Sequence, residues 1–248
     1  MYQESIKKYL IKNQLHEIDL QAVLFDMDGV LFDSMPIHAR AWSKTLHEFG
    51  LNFTEEESYL HEGRTGSGTI NIVFNREKGR DATPDEIKRI YDRKTALFDA
   101  SHESPVMPGA LELLEQIKAN DLQRILVTGS GQNALISKMN HFFPGYFTPE
   151  GMVTAYDVKK GKPDAEPYLK GLRKAGVRAC NAVVVENAPL GIIAAKTAGI
   201  FTIAVNTGKL ADHFLTDAGA DLLFKGMLAL SKAWNELFSQ INNTKVEI

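Results

Sequence analysis

Five short apolar runs, Gln21–Phe25, Gln123–Val127, Ala182–Val185, Phe201–Val205 and Asp221–Phe224, are separated by segments of helical periodicity. This alternation constrains the fold more than any other feature. Runs of this length without polar alternation suit strands buried on both faces, so the helices between them must cover a parallel sheet from both sides. The spacing predicts helices over Ala110–Ala119, with Leu111, Leu114 and Ile117 on one face, over Gln132–Phe142, and over Asp164–Ala175, closed by Gly176. Another spans Pro189–Ala198, with proline at its start and Gly199 at its end, the usual asymmetry of helix termini. Between the first strand and the next helix the pattern breaks. Trp42, Leu46, Phe49, Ile70, Val73, Phe74, Ile87, Tyr91 and Phe98 keep helical spacing and no strand is evident. The expected architecture is α/β, a three-layer core around a parallel sheet with an inserted helical cap. The core is expected over 20–34 and 105–248 and the cap over 35–104. An N-terminal extension over 1–19 reads as an amphipathic helix carrying Ile6, Tyr9, Leu10 and Ile11 on the outside of the core.

Open parallel sheets bind ligands beyond the carboxyl ends of their strands, so the residues that follow each strand are informative. The first strand delivers Asp26 and Asp28, then Gly29; the second Thr128, Gly129, Ser130 and Gly131; the third Glu186 and Asn187, just before Pro189. Lys159, Lys160 and Lys162 lie in the loop between the second and third. Two acids that close raise each other's pKa unless a cation or a proton intervenes. Magnesium is suited to that place, since it prefers a few carboxylates plus phosphate oxygens. Each residue alone has an ordinary explanation as a turn, a solvated lysine or a helix cap. Gathered at successive strand ends they are the components of phosphoryl transfer. Asp26 can attack phosphorus and form an aspartyl phosphate, and Asp28 can serve as acid and then base. Thr128, with the amides of Gly129 and Ser130 at a helix N-terminus, can hold phosphoryl oxygens, and Lys162 can neutralise their charge. Asp26 and Asn187 can ligate magnesium, with Glu186 adding negative field or orienting a ligand water.

These segments, DMDGVLFDS, VTGSG, KGKPDAEPY and VVVENAPLG, resemble in order the four motifs of the haloacid dehalogenase superfamily, in particular its helical-cap, β-phosphoglucomutase-like members. The resemblance runs from about Ala22 to Phe224. It implies a Rossmann-like core, Asp26 as nucleophile, Asp28 as acid/base, Thr128 and Lys162 on the phosphoryl group, and magnesium at Asp26, Asp28 (through its backbone carbonyl) and Asn187, with Glu186 beside them. Many relatives carry Asp where this chain has Asn187; an amide oxygen can ligate but adds no charge.

In such enzymes the cap selects the substrate. The segment His61-Glu62-Gly63-Arg64-Thr65-Gly66 reads as a loop that reaches toward the core. β-Phosphoglucomutases resemble this chain at His38, but they carry an arginine for the distal phosphate where this chain has Gly66. Glu62 would repel a polyanion unless a metal or metal-bound water lies between. The loop is similar to that of pyrophosphatases in the same subgroup. The expectation is magnesium-dependent hydrolysis of inorganic pyrophosphate, with His38, Glu62, Arg64, Gly129 and Ser130 around the substrate. The alternatives are a β-phosphoglucomutase or sugar-phosphate phosphatase. A true dehalogenase would have no use for Asp28 or the ENAPLG segment. A receiver-like phospho-acceptor module would lack the large insertion.

A net charge of -3 gives no electrostatic reason to expect nucleic acid or an anionic membrane. No apolar stretch reaches membrane-spanning length, and the N-terminus lacks the apolar centre of a signal peptide. The single cysteine, Cys180, reads as a small buried hydrophobe and suits a reducing, cytoplasmic setting. The expected partner is a small phosphorylated substrate, and the expected state a monomer or small homo-oligomer.

Overall fold

The computed structural model describes residues 2–101, 104–131 and 135–247. In chain order the elements are α1 (Tyr2–Lys12), β1 (Ala22–Phe25), α2 (Met35–Glu48), α3 (Glu55–Leu60), α4 (Gly66–Lys78), α5 (Pro84–Asp99), α6 (Ala110–Ala119), β2 (Gln123–Val127), α7 (Leu135–Phe142), β3 (Met152–Val153), α8 (Glu166–Ala175), β4 (Ala182–Glu186), α9 (Pro189–Thr197), β5 (Phe201–Val205), α10 (Asp212–Asp217), β6 (Leu222–Phe224) and α11 (Met227–Asn243). The strands form one parallel sheet in the order β3-β2-β1-β4-β5-β6. The chain therefore moves outward from β1 to β3, then returns across β1 to begin the other half. That makes the end of β1 the switch point where such sheets leave a crevice. The register brings three strand ends level there, since Phe25 lies opposite both Leu126 and Val185.

Successive residues of a strand face opposite sides, and the two faces of β1 sort accordingly. Val23 and Phe25 join a cluster with α1, α6, α7 and α11, whereas Ala22 and Leu24 join another with α8 and α9. All four residues are fully buried, which explains the uninterrupted apolar run. The cap helices α2, α4 and α5 pack on a cluster of their own, built from Leu46, Phe53, Ile70, Val73, Phe74 and Ile90 among others.

Several details depart from the sequence expectations. β3 is an additional strand of two residues, too short to register as an apolar run. α6 buries Leu113, Leu114 and Ile117, while Leu111 is exposed, so the apolar face is rotated from the one expected. α8 begins at Glu166 rather than Asp164, because the Asp164 carboxylate accepts the Glu166 amide and ends the preceding loop. The expected helix over 132–142 is present from Leu135; positions 132–134 lie outside the described residues. α1 is not peripheral. Ile6, Tyr9 and Leu10 enter the main core, Tyr9 packs edge-on against Phe201, and only Ile11 points to solvent.

α8 lies unusually close to the sheet, and its placement fixes the loop that carries Lys162. A Cβ on Gly171 would meet Leu24 Cδ2 at 2.8 Å and Val127 Cγ2 at 3.1 Å. Gly171→Val is accordingly expected to destabilise the protein by about 1–3 kcal/mol through overpacking, read as a lower urea midpoint with an unchanged slope. An unchanged midpoint would mean that the helix can lift from the sheet without cost.

Candidate active site

Asp26 follows β1 directly and is 3% exposed. Its Oδ1 accepts from Lys162 Nζ at 2.5 Å, and the same ammonium donates to Glu186 Oε1 at 2.6 Å and to the Val127 carbonyl at 3.2 Å. Lys162 reaches this place because its loop is held by Glu166, whose carboxylate accepts the backbone amides of Lys159 and Lys160. Lys160 itself is exposed and stands 4.0 Å from Asp164. Of the lysines in the loop, Lys162 is the one brought to Asp26.

Glu186 ends β4 and is fully buried. Oε1 accepts from Lys162 and from the Tyr168 hydroxyl at 2.9 Å; Oε2 accepts from the amides of Asn187 and Ala188 at 2.9 and 3.0 Å. Four protein donors occupy both oxygens. Glu186, expected beside the metal ligands, thus holds Lys162 and the turn into α9 in the resting site. Only glycine at 191 allows this, since a Cβ there would stand 1.6 Å from Glu186 Oε1.

Thr128 is buried beyond β2, and its Oγ1 accepts from the Ser130 amide at 3.0 Å. With a lone pair used in this way, the hydroxyl can direct its own proton to a phosphoryl oxygen. The Ser130 amide is thereby committed to Thr128 in the resting site.

Asp28 receives hydrogen bonds on Oδ1 from Ser34 Oγ at 2.5 Å and from His38 Nε2 at 3.2 Å. His38 Nδ1 in turn accepts from Lys94 Nζ at 2.7 Å. Burial and then the Lys94 charge lower the His38 pKa, with Asp28 opposing. A neutral ring that accepts at Nδ1 carries its proton on Nε2 and donates it to Asp28. Burial would raise the Asp28 carboxyl, but His38 and Ser34, with Lys138, outweigh it and hold Asp28 well below the usual carboxylate range. Asp26 moves the other way, to about 7, chiefly through burial, with Lys162 opposing and Glu186 and Asp28 adding to the rise. Sequence reasoning missed Lys94. It is 4% exposed, and burial pulls its pKa down to about 8. Lys94 lies three residues after Tyr91 and four before Phe98, which puts it on the apolar face of its helix but does not name its partner.

The loop between α3 and α4 does descend onto the core. Glu62, 6% exposed, accepts from Asn187 Nδ2 at 2.7 Å. A Cβ on Gly129 would meet the Gly63 carbonyl at 2.6 Å, and one on Gly161 would meet Thr65 Cγ2 at the same distance. Arg64 is half-buried and its Nε has no hydrogen-bond partner among the described residues. Asp26, Asp28, His38, Glu62, Arg64, Lys94, Gly129 and Ser130 all line one cavity of about 70 Å3 between cap and core.

The donors fit a hard divalent cation. Asn187 is 4% exposed, yet its Oδ1 has no hydrogen-bond partner among the described residues, and an unsatisfied buried acceptor calls for a ligand. Asp26 and Glu186 share the Lys162 ammonium, while burial drives the Glu62 pKa well above the ordinary range, with Asp26, Glu186 and Asp28 adding to the rise against its hydrogen bond to Asn187. Gly29, at φ 79°, lets Asn187 and Glu62 close over the loop after Asp28: a Cβ there would lie 2.0 Å from Asn187 Nδ2. Among the described residues no group of three or more His, Cys, Asp and Glu side chains forms a metal cluster. The donor set here would be mixed, combining carboxylate with amide and backbone oxygens, as magnesium accepts.

Comparison with known proteins agrees with this geometry. A family model described as haloacid dehalogenase-like hydrolase matches residues 23–205. The chain is similar to the phosphorylated carbohydrates phosphatase of Thermotoga maritima, 32% identical over 212 residues that cover 83% of this chain and 94% of the relative. It is also similar to hexitol phosphatase A of Escherichia coli, 32% identical over 74% of this chain and 82% of the relative. Among solved structures, a Bacteroides vulgatus protein provisionally named a beta-phosphoglucomutase superposes with a TM-score of 0.95 at 53% identity, covering 98% of this chain and 99% of that one.

Because the folded pKa of Asp26 lies above its unfolded value, the protonated form favours folding. That contribution is complete below about pH 4 and is lost as the pH rises through about 7. In chelator, Asp26→Asn is expected to melt several degrees above the parent at pH 8, with the gap closing toward pH 5. Scanning calorimetry checks this; equal melting at every pH would show that Lys162 fully compensates the charge.

Proposed function

From the premise that this chain belongs to the haloacid dehalogenase-like hydrolase family, we propose that it hydrolyses a small phosphorylated substrate, inorganic pyrophosphate, through an aspartyl phosphate on Asp26. The observation that carries this reading is Glu62, a cap carboxylate buried against Asn187 within the site of Asp26. A carboxylate there repels a polyanion unless the substrate brings in a divalent cation, and pyrophosphate is a short chelating anion. Magnesium, when bound, would supply positive charge and orientation to the phosphoryl oxygens; Asp26, Asn187 and the Asp28 carbonyl would hold it, with Glu62 above.

An oxygen of Asp26 attacks phosphorus, the bridging P–O bond breaks, and orthophosphate leaves. Lys162 donates to Asp26 Oδ1 in the resting site and neutralises charge on the transferring group, while the Thr128 hydroxyl donates to a phosphoryl oxygen. Arg64, with its unpartnered Nε, receives the departing phosphate. Asp28 then takes a proton from water as the water attacks the aspartyl phosphate, returning Asp26 and releasing the second orthophosphate. Phosphate departs without a proton, whereas a sugar alkoxide needs one from an acid.

The second reading is a sugar-phosphate phosphatase, favoured by the names of the Thermotoga maritima and Escherichia coli relatives. Phosphate release from pyrophosphate, glucose 6-phosphate and β-glucose 1-phosphate, with magnesium and with chelator, separates them. Pyrophosphate should be turned over fastest and only with magnesium; faster turnover of either sugar phosphate would overturn the first reading. Asp26→Asn should lower turnover of every substrate by about 1,000-fold or more. Glu62→Gln should raise the magnesium concentration needed for half-maximal rate by about tenfold. An unchanged requirement would remove Glu62 from the metal site.

A further inference from the structure

The turn after β5, residues 206–211, takes no part in the chemistry above, yet it touches both halves of the site. The Thr207 hydroxyl donates to the Gly29 carbonyl at 2.6 Å. The Gly29 amide donates to the Phe32 carbonyl at 2.7 Å. Gly29, buried and at φ 79°, is therefore held at both of its backbone polar groups. Its amide shares one planar peptide with the Asp28 carbonyl, so these bonds fix where that carbonyl points. Gly29 is also the residue over which Asn187 and Glu62 close: a Cβ on it would stand 2.0 Å from Asn187 Nδ2 and 3.1 Å from Glu62 Oε1.

The next residues of the turn meet the cap. Tyr59 on α3 is 3% exposed and packs with Met35 and Ala39 of α2 against Leu210. A Cβ on Gly208 would lie 3.5 Å from Tyr59 Cδ1, and Lys209 Nζ stands 5.8 Å from the centre of the ring. Tyr59 lies three residues before Glu62, so α3 leads directly into the loop that brings Glu62 down. The turn itself is braced within the core. Asn206 Nδ2 donates to the Leu210 carbonyl at 3.0 Å and to Asp212 Oδ1 at 2.6 Å, and the Asn206 amide donates to the Phe224 carbonyl at 2.9 Å. A braced turn is thus bonded on one side to the loop after Asp28 and packed on the other against the helix before Glu62.

We propose that this turn sets the register of the metal site: Thr207 positions the loop that presents the Asp28 carbonyl, and Tyr59 seats Glu62 above it. Both are positioning residues, acting through groups that they hold in place. Outer partners of this kind change metal affinity by about 10–100-fold when removed. The proposal rests on the metal site of Asp26, Asn187 and the Asp28 carbonyl and is independent of which phosphate is hydrolysed. A threonine and a tyrosine that only pack would change stability and leave metal affinity alone.

The test is calorimetric titration with manganese(II) alone, without substrate, at a temperature where thermal unfolding in chelator shows each protein to be folded. Thr207→Val keeps the shape and removes the hydroxyl; it should weaken binding about tenfold. Thr207→Ser restores a donor and should bind within about twofold of the parent. Tyr59→Leu should weaken binding about fivefold in the parent but less than about twofold in Glu62→Gln, since it acts through that carboxylate. Gly208→Val, which crowds the same contact from the core side, takes its place if Tyr59→Leu does not fold. A Thr207→Val protein that melts lower yet binds manganese as the parent does overturns the role of Thr207. A loss in Tyr59→Leu that persists in Glu62→Gln, or no loss at all, overturns the role of Tyr59. A parent that binds no manganese, or binds it no more tightly than Asp26→Asn, overturns the metal site and the proposal with it, whatever substrate is turned over.

Discussion

Lys162 is shared between two buried carboxylates, Asp26 at 2.5 Å and Glu186 at 2.6 Å, and the rest of the catalytic edge is arranged to keep it there. Removing such charges from water costs several kcal/mol per ion, and only close pairing with further hydrogen bonds offsets that cost. The further bonds come from Tyr168 and from the amides of Asn187 and Ala188, all to Glu186. The geometry needs three long-range conditions at once. β1 and β4 must end level, α8 must lie close enough on Gly171 to deliver the Lys162 loop, and Gly191 must leave room for the Glu186 carboxylate.

Lys162 alone does not balance the acids gathered here, and the remaining negative charge is met from other elements. Asp26 is raised by burial while Asp28, two residues away, is held low by Ser34 and His38. Environments that push two carboxyls apart in this way assign them different chemical roles. The cap takes part in the same electrostatics. His38 and Lys94 act on Asp28 from α2 and α5, and Glu62 closes over Asn187 from the loop before α4. The cap thereby completes the charge distribution around the nucleophile as well as covering it.

Much of this was legible in the chain. The apolar runs and the residues that follow them located the sheet, its switch point and the positions of Asp26, Asp28, Thr128, Lys162 and Asn187, because strand ends in a parallel sheet converge on one edge. Other features were not legible. Lys94 and Tyr168 are single polar residues on apolar helix faces, and a local window cannot say whether such a residue is solvated or aimed at a partner far away in sequence. The type and position of Glu186 place it beside the metal ligands, but they do not show the four donors that gather on it from Lys162, Tyr168 and the turn into α9. The face of α6 was misplaced at Leu111 for a related reason, since α6 buries what α11 covers, and α11 is more than a hundred residues away.

The sequence by itself determined the class of fold, the cap insertion and the residues presented at the strand ends, since these follow from periodicity and chain order. The tertiary structure alone decided which lysine meets Asp26, that Glu186 accepts from Lys162 and Tyr168, that Glu62 reaches Asn187, and that Tyr91 occupies the space beside Gly66. The physical reason is common to all four. Each depends on distances between segments far apart in the chain, set by how closely helices, strands and loops pack, and close approach at glycine is a property of the partner's position as much as of the glycine.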